Sequence, residues 1–169
     1  MDGNEKAKGQ SRVPWFLLGL AGALLILRVL FPAPSPRGSL EPQPEEKVSW
    51  HKPEEVPQDP DKPLLYDFTA SWCAPCRIQA QEVFADQEAA TFINETFIPV
   101  KVPQERQGEK IVAELFERFK VEAFPTLVVA DASGQVVASQ RGYISKKATL
   151  RFLQRALEKH NAQTQDKKP

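Results

Sequence analysis

An α/β domain with elements in the order βαβαββα is predicted for the carboxy-terminal part of the chain, behind one N-terminal transmembrane helix and a proline-rich linker. Three observations predict it. Short apolar runs bounded by proline and turn residues alternate with stretches of helical periodicity from residue 64 onward. An unbroken apolar stretch lies near the amino terminus. Nine prolines crowd the 32 residues between these two regions.

The 169 residues hold 22 Lys+Arg against 22 Asp+Glu, one domain's worth of chain with tails. Four basic and two acidic residues fall in residues 1–31, so the remainder carries 18 basic and 20 acidic residues, a net of −2. A nucleic-acid groove needs a basic domain, so that partner class is disfavoured. A hydrophobic content of 41% supports one core and argues against wholesale disorder. The two cysteines, Cys73 and Cys76, are too few for a multi-disulfide scaffold or a four-cysteine metal site.

Val13 to Phe31 covers 19 residues, broken only by Arg28 near one end. About 20 apolar residues cross a bilayer as a helix, and a long Arg side chain near an end reaches the headgroups. A cleavable secretory signal is the alternative, but the prolines at 32, 34 and 36 crowd the small-residue site near Ala33 and Ser35. An uncleaved anchor is therefore expected. Lys6, Lys8 and Arg12 precede the span and place residues 1–12 in the cytoplasm. The rest is then expected outside a bacterial inner membrane, in the periplasm, where disulfides persist.

Residues 32–63 are rich in Pro and Glu and read as an extended spacer. Trp50 is out of character there and is expected to dock on the domain from a short extended piece, Val48-Ser49-Trp50. His51 is read as a linker residue.

The domain spans residues 64–160. Leu64 to Thr69 suits a buried strand. A helix begins near Cys73, with Ala80, Val83 and Phe84 on its inner face. Asp86 caps a second helical piece carrying Ala89, Phe92 and Ile93. Phe97 to Val102 is a strand. Ile111, Val112, Leu115, Phe116 and Phe119 mark a helical face within residues 108–120. Thr126 to Ala130 is a strand, joined through Asp131-Ala132-Ser133-Gly134 to a hairpin partner at Gln135 to Ser139. Ser145 caps a last helix with Leu150, Leu153 and Leu157 inward. Lys159 to Pro169 is polar and expected to fray; residues 161–169 are set apart as a tail.

Trp72-Cys73-Ala74-Pro75-Cys76 carries the chemistry. A Cys-x-x-Cys directly after a strand, opening a helix, suits reversible dithiol chemistry. Unpaired backbone N–H groups and the positive dipole end favour thiolate over thiol at the first sulfur. Cys73 is therefore the attacking thiol, and Cys76, one turn on, resolves the mixed disulfide. Pro75 suits an early helical position, where its missing N–H is no loss. A zinc site would need two further ligands. The only histidines, His51 and His160, lie in the linker and at the end of the last helix, so no metal is expected. Two buried structural thiols and a purely structural local disulfide are the other readings.

Asp67-Phe68-Thr69-Ala70-Ser71-Trp72-Cys73-Ala74-Pro75-Cys76-Arg77 resembles the strand, Trp and CxPC stretch of the thioredoxin superfamily. Val121-Glu122-Ala123-Phe124-Pro125-Thr126 is similar to that family's cis-proline loop, and Arg141-Gly142-Tyr143 to its late glycine. The three motifs stand in the family's order between Leu64 and Lys159. The break between Phe84 and Asp86 is similar to that of the periplasmic C-terminal domains of DsbD-type membrane reductases. The resemblance implies a thioredoxin-like α/β fold, a central mixed sheet flanked by helices.

It also implies residue roles. Asp67 takes the place of the family's buried acid, where burial raises its pKa and lets it accept the Cys76 proton; a structural carboxylate is the alternative. Pro125 is expected to be cis beside the active site, leaving the Phe124 backbone to pair with an extended substrate; an ordinary trans strand-edge proline is the alternative. Trp72 and Gly142 are expected at the substrate-binding rim, although Trp72 could instead belong to the core. Arg77 either supports the thiolate or solvates the helix. The family's lysine near the acid is not matched: Pro99 aligns there, with Lys101 two residues on and on the same strand face.

The expected function is membrane-tethered thiol–disulfide oxidoreduction without a cofactor. A reductant of protein disulfides is favoured over an oxidase, an isomerase or a peptide-binding module without turnover. With no second cysteine pair, the electron donor is an external protein, a membrane thiol reductase.

Overall fold

The computed structural model describes residues 45–58 and 60–166. The expected cytoplasmic tail (1–12), the membrane span (13–31), the linker up to residue 44, Asp59 and residues 167–169 lie outside the described residues. Among the described residues no helix is long and apolar enough to cross a membrane.

Four strands form one mixed sheet in the order β2-β1-β3-β4. They are β1 (Leu64–Thr69), β2 (Ile98–Pro103), β3 (Thr126–Ala130) and β4 (Val136–Arg141). β1 runs parallel to β2 and antiparallel to β3, and β3 pairs antiparallel with β4. The parallel pair needs a crossover, which α1 (Ala74–Gln79), a π-helical turn (Ala80–Phe84) and α2 (Gln87–Thr96) supply. α3 (Lys110–Phe119) connects β2 to β3, and α4 (Lys146–Asp166) follows β4.

Period-2 alternation divides the core between the two sheet faces. Leu64, Tyr66 and Phe68 of β1 join Val100, Val102 and Val128 against Val112, Leu115 and Phe116 of α3. Leu65, Leu127 and Val129 face the other way, against Val83, Phe84, Ile93 and Leu153. Asp67 belongs to this second face by alternation. The break expected after Phe84 is a π-helical turn in which the Ala85 N–H bonds the Ala80 carbonyl at 2.9 Å. Asp86 then starts α2, its carboxylate accepting from the Ala89 N–H at 3.0 Å.

Two expectations differ from the structure. The last helix does not fray at Lys159. α4 continues to Asp166, through the residues set apart as a polar tail, with the Thr164 hydroxyl bonded to the His160 carbonyl. These residues lack an apolar face, but Glu158, Lys159, Ala162 and Gln163 are good helix formers on an established helix, which extends more easily than it nucleates.

The second difference lies in the spacer. Residues 45–58 lie along the domain as a strap. Val48 is buried in the core, and Trp50 meets Phe84 edge-to-face with ring centroids 4.9 Å apart. His51 is not a free linker residue. Its N–H bonds the Pro99 carbonyl at 2.9 Å, and its carbonyl accepts from the Lys101 N–H at 3.0 Å. Lys47 N–H bonds Phe84 O, and Asn94 on α2 holds Ser49 N–H and Lys47 O. Docking of Trp50 from the Val48-Ser49-Trp50 piece is as expected, whereas the backbone pairing of His51 is not.

The docked strap should therefore contribute to folding. Trp50→Ala should lower unfolding free energy by about 1–3 kcal/mol, since the ring is only partly buried. Urea denaturation followed by circular dichroism measures this, and an unchanged midpoint would separate the strap from the folding unit.

Candidate active site

The loop after β1 delivers Cys73 to the start of α1. Cys73 has extended backbone, φ −80° and ψ 103°, and is the N-cap of the helix. Its Sγ accepts the Cys76 N–H at 3.2 Å. That N–H points at the sulfur that sequence assigns to attack, and a hydrogen bond to a thiolate favours the charged form. Cys73 and Cys76 are bonded to one another, with Cα atoms 5.3 Å apart. In this oxidised state exposure does not separate the two cysteines, at 3% and 6%. Their surroundings do.

The Cys76 side opens on a cavity of about 320 Å³, to which Asp67, Lys101, Glu46, Arg77 and Glu105 contribute. Asp67 is 2% exposed, and its Oδ1 has no hydrogen-bond partner. Burial pushes its pKa from 3.8 up to about 7, with the Lys101 cation opposing and the Glu46 carboxylate adding to the rise. An acid poised near neutrality, in the cavity that Cys76 lines, can exchange the thiol proton.

A lysine does stand across from the acid in the sheet. Parallel register sets Asp67 opposite Lys101, and Leu65 opposite Pro99. Lys101 therefore shares the sheet face of the acid, and Pro99 does not stand in for it. Arg77 lines the same cavity and donates to the Ser71 carbonyl at 3.3 Å.

The other side of the pair is apolar. Phe124 packs against Ala70, Cys73 and Cys76. The Phe124–Pro125 bond is cis. Trp72 is 66% exposed, at the rim and not in the core, and its ring meets Phe124 edge-to-face at 5.7 Å. Gly142 donates its N–H to the Pro125 carbonyl at 2.7 Å. Its φ of +75° lies in the left-handed region that favours glycine. The structure thus brings Trp72, Phe124, Pro125 and Gly142 together beside Cys73.

Sequence reasoning missed the residues that hold this rim. Gln104 accepts from the Trp72 indole N–H at 2.8 Å, and Glu105 accepts from the Ser71 N–H at 2.6 Å. Both belong to the 3₁₀ turn Gln104–Arg106 that follows β2. Sequence placed no element there, although a turn after β2 must emerge at the same sheet end as the loop after parallel β1. Glu46 was missed as well, because it lies in an acidic run that reads as solvated.

Residues 52–157 match the family model of the thioredoxin-like domain, well over half of the chain. The chain belongs to the thioredoxin-like family. A thioredoxin of Haemophilus influenzae is 32% identical over 100 residues, 59% of this chain and 85% of that protein. Thioredoxin H2-1 of Oryza sativa is 29% identical over 103 residues, 59% of this chain and 68% of that one. Among solved structures, a DsbH oxidoreductase superposes with a TM-score of 0.54 at 27% identity, covering 75% of this chain and 95% of its own. A candidate disulphide-isomerase from Bacteroides thetaiotaomicron gives a TM-score of 0.57 at 29% identity, covering 67% and 95%. With a Cys-x-x-Cys pair at disulfide distance in this fold, the thioredoxin-like chain is a thiol–disulfide oxidoreductase.

The raised pKa of Asp67 carries a stability consequence. From about pH 4 to about pH 7 the folded protein holds a proton that the unfolded chain has lost. The stability is complete below that window and falls as pH rises through it, by about 1.4 kcal/mol per pH unit at most. Asp67→Asn removes the titration, so it should flatten this slope and be the more stable form above pH 7. Urea denaturation of the oxidised protein at pH 4, 6 and 8 measures both, and an unchanged slope would mean that Asp67 does not titrate there.

Proposed function

We propose that this protein is a membrane-tethered reductant of protein disulfides outside the cytoplasm. One observation carries the reductant reading: Cys76 and the buried, partnerless Asp67 oxygen meet at one cavity, so the second thiol has a base for its closing attack.

In the reduced protein the Cys73 thiolate, favoured by the Cys76 N–H, attacks one sulfur of a substrate disulfide. That bond breaks, its second sulfur leaves as thiolate, and a mixed disulfide forms on Cys73. Cys76 then gives its proton to the Asp67 carboxylate and attacks the Cys73 sulfur. The Cys73–Cys76 disulfide forms, the substrate sulfur that Cys73 had attacked leaves as thiolate, and the substrate has gained two electrons. Trp72, Phe124, Pro125 and Gly142 form the surface on which an extended segment of a protein substrate would lie. Restoring the dithiol takes two electrons from another dithiol, and a membrane thiol reductase is the donor this reading calls for.

The tether rests on sequence. The apolar Val13 to Phe31 stretch is long enough to span, and the basic residues before it favour a cytoplasmic amino terminus, with the catalytic domain in the bacterial periplasm. Protease added to intact spheroplasts should then remove the domain, whereas its full protection would place it inside.

Insulin reduction driven by dithiothreitol tests the activity. The unaltered protein should accelerate it and Cys73→Ser should abolish the acceleration. Cys76→Ser should accumulate mixed disulfide on Cys73. Asp67→Asn should slow the closing step by roughly ten- to a hundredfold in stopped-flow measurements, while the first attack changes little. Faster oxidation of a dithiol peptide than reduction of insulin would assign an oxidase instead, and peptide binding without either reaction would leave a docking module.

A further inference from the structure

The strap that sequence read as spacer contributes a charged side chain to the cavity beneath Cys76. Glu46 binds the Lys101 ammonium through both carboxylate oxygens, Oε2 at 2.6 Å, and also accepts the Trp50 indole N–H. Neither partner is free in solvent, since the side chains of Lys101 and Glu46 are 29% and 20% exposed. The ammonium is further confined over the Trp50 ring, 5.1 Å from its centroid, and over Phe84 at 5.9 Å.

Five charged or titratable side chains besides Cys76 face this cavity: Asp67 from β1, Lys101 from β2, Arg77 from α1, Glu105 from the turn after β2, and Glu46 from the strap. Arg77 and Glu105 are bonded to the Ser71 backbone. Lys101 is the cation placed opposite Asp67 in the sheet register. A cation that closed on the Asp67 carboxylate would hold it ionised and make it a poorer base. The observed arrangement is different: the cation is taken by Glu46, and an Asp67 oxygen is left without a partner.

We propose that Glu46 is a positioning residue for the closing step: it holds Lys101 against the strap and so leaves Asp67 free to take the proton of Cys76. This deepens, and rests on, the reading of Asp67 as the base for Cys76. The electrostatics agree in direction, because the Glu46 carboxylate supports the raised proton affinity of Asp67 and Lys101 opposes it.

The test uses the full chain in detergent, with the Asp67 carboxyl titrated by ¹³C NMR in the oxidised state and the closing step followed against pH by stopped flow. Glu46→Gln keeps the shape and removes the charge. It should lower the Asp67 midpoint by roughly 0.5–1 pH unit, and the pH profile of the closing step should move with it. Lys101→Met should move both the opposite way. A Glu46 that only fastens the strap would change the denaturation midpoint and leave the titration where it is. An unmoved titration in Glu46→Gln, with the closing step still slowed in Asp67→Asn, overturns the role of Glu46 alone. A closing step unchanged in Asp67→Asn overturns the base and Glu46 together.

Discussion

A carboxyl group buried in a sheet without a partner for one of its oxygens is the constraint around which this site is arranged. An ionised carboxylate in such a place is costly unless paired, so Asp67 holds its proton to near neutrality. The cost is tolerated only if the surroundings are fixed. β1 is covered on both faces, Phe68 and Leu65 on either side of Asp67 in sequence are fully buried, and the helix that carries Cys76 closes over the same face. The sulfur pair, the acid and the cavity between them thus follow from one strand and the turn that leaves it.

The site has two sides that do different work. Toward Phe124 the cysteine pair meets an aromatic ring that continues into a cis-proline. Toward Asp67 it meets charge and space for water. In the proposed reaction, substrate contact and proton handling would lie on opposite sides of the disulfide. The turn after β2 joins them, because Gln104 holds the Trp72 indole on the first side while Glu105 lines the cavity on the second.

Much of this was legible in the sequence, and the reasons differ by element. Thr126–Ala130 was read with its final bounds because an apolar run between a proline and an Asp-Ala-Ser-Gly turn leaves little choice. The Cys73–Cys76 site was legible because its chemistry depends on local spacing. Asp67 followed from strand alternation together with the family resemblance. What escaped was information carried between distant segments. The Asp67–Lys101 pairing depends on the register of two parallel strands some thirty residues apart, which no local pattern states. The docking of Trp50 was expected from its odd place in the linker, but the pairing of Glu46 with Lys101 joins segments 55 residues apart. The polar end of α4 was misread because charge and missing periodicity argue equally for a solvated helix and for a frayed one.

The backbone pairing of His51 also decides where this sheet is open. β2 would otherwise be a bare edge, a row of unpaired amides and carbonyls on which another chain could add a strand. It carries Pro99 and Pro103, which have no N–H to offer, and His51 occupies the Pro99 carbonyl and the Lys101 amide between them. The strap thus closes that edge with the protein's own backbone. Only β4 remains as a free border among the described strands, and its outer end carries Gln140 and Arg141. A sheet bordered in this way is protected on one edge from the strand-to-strand growth that leads to aggregation.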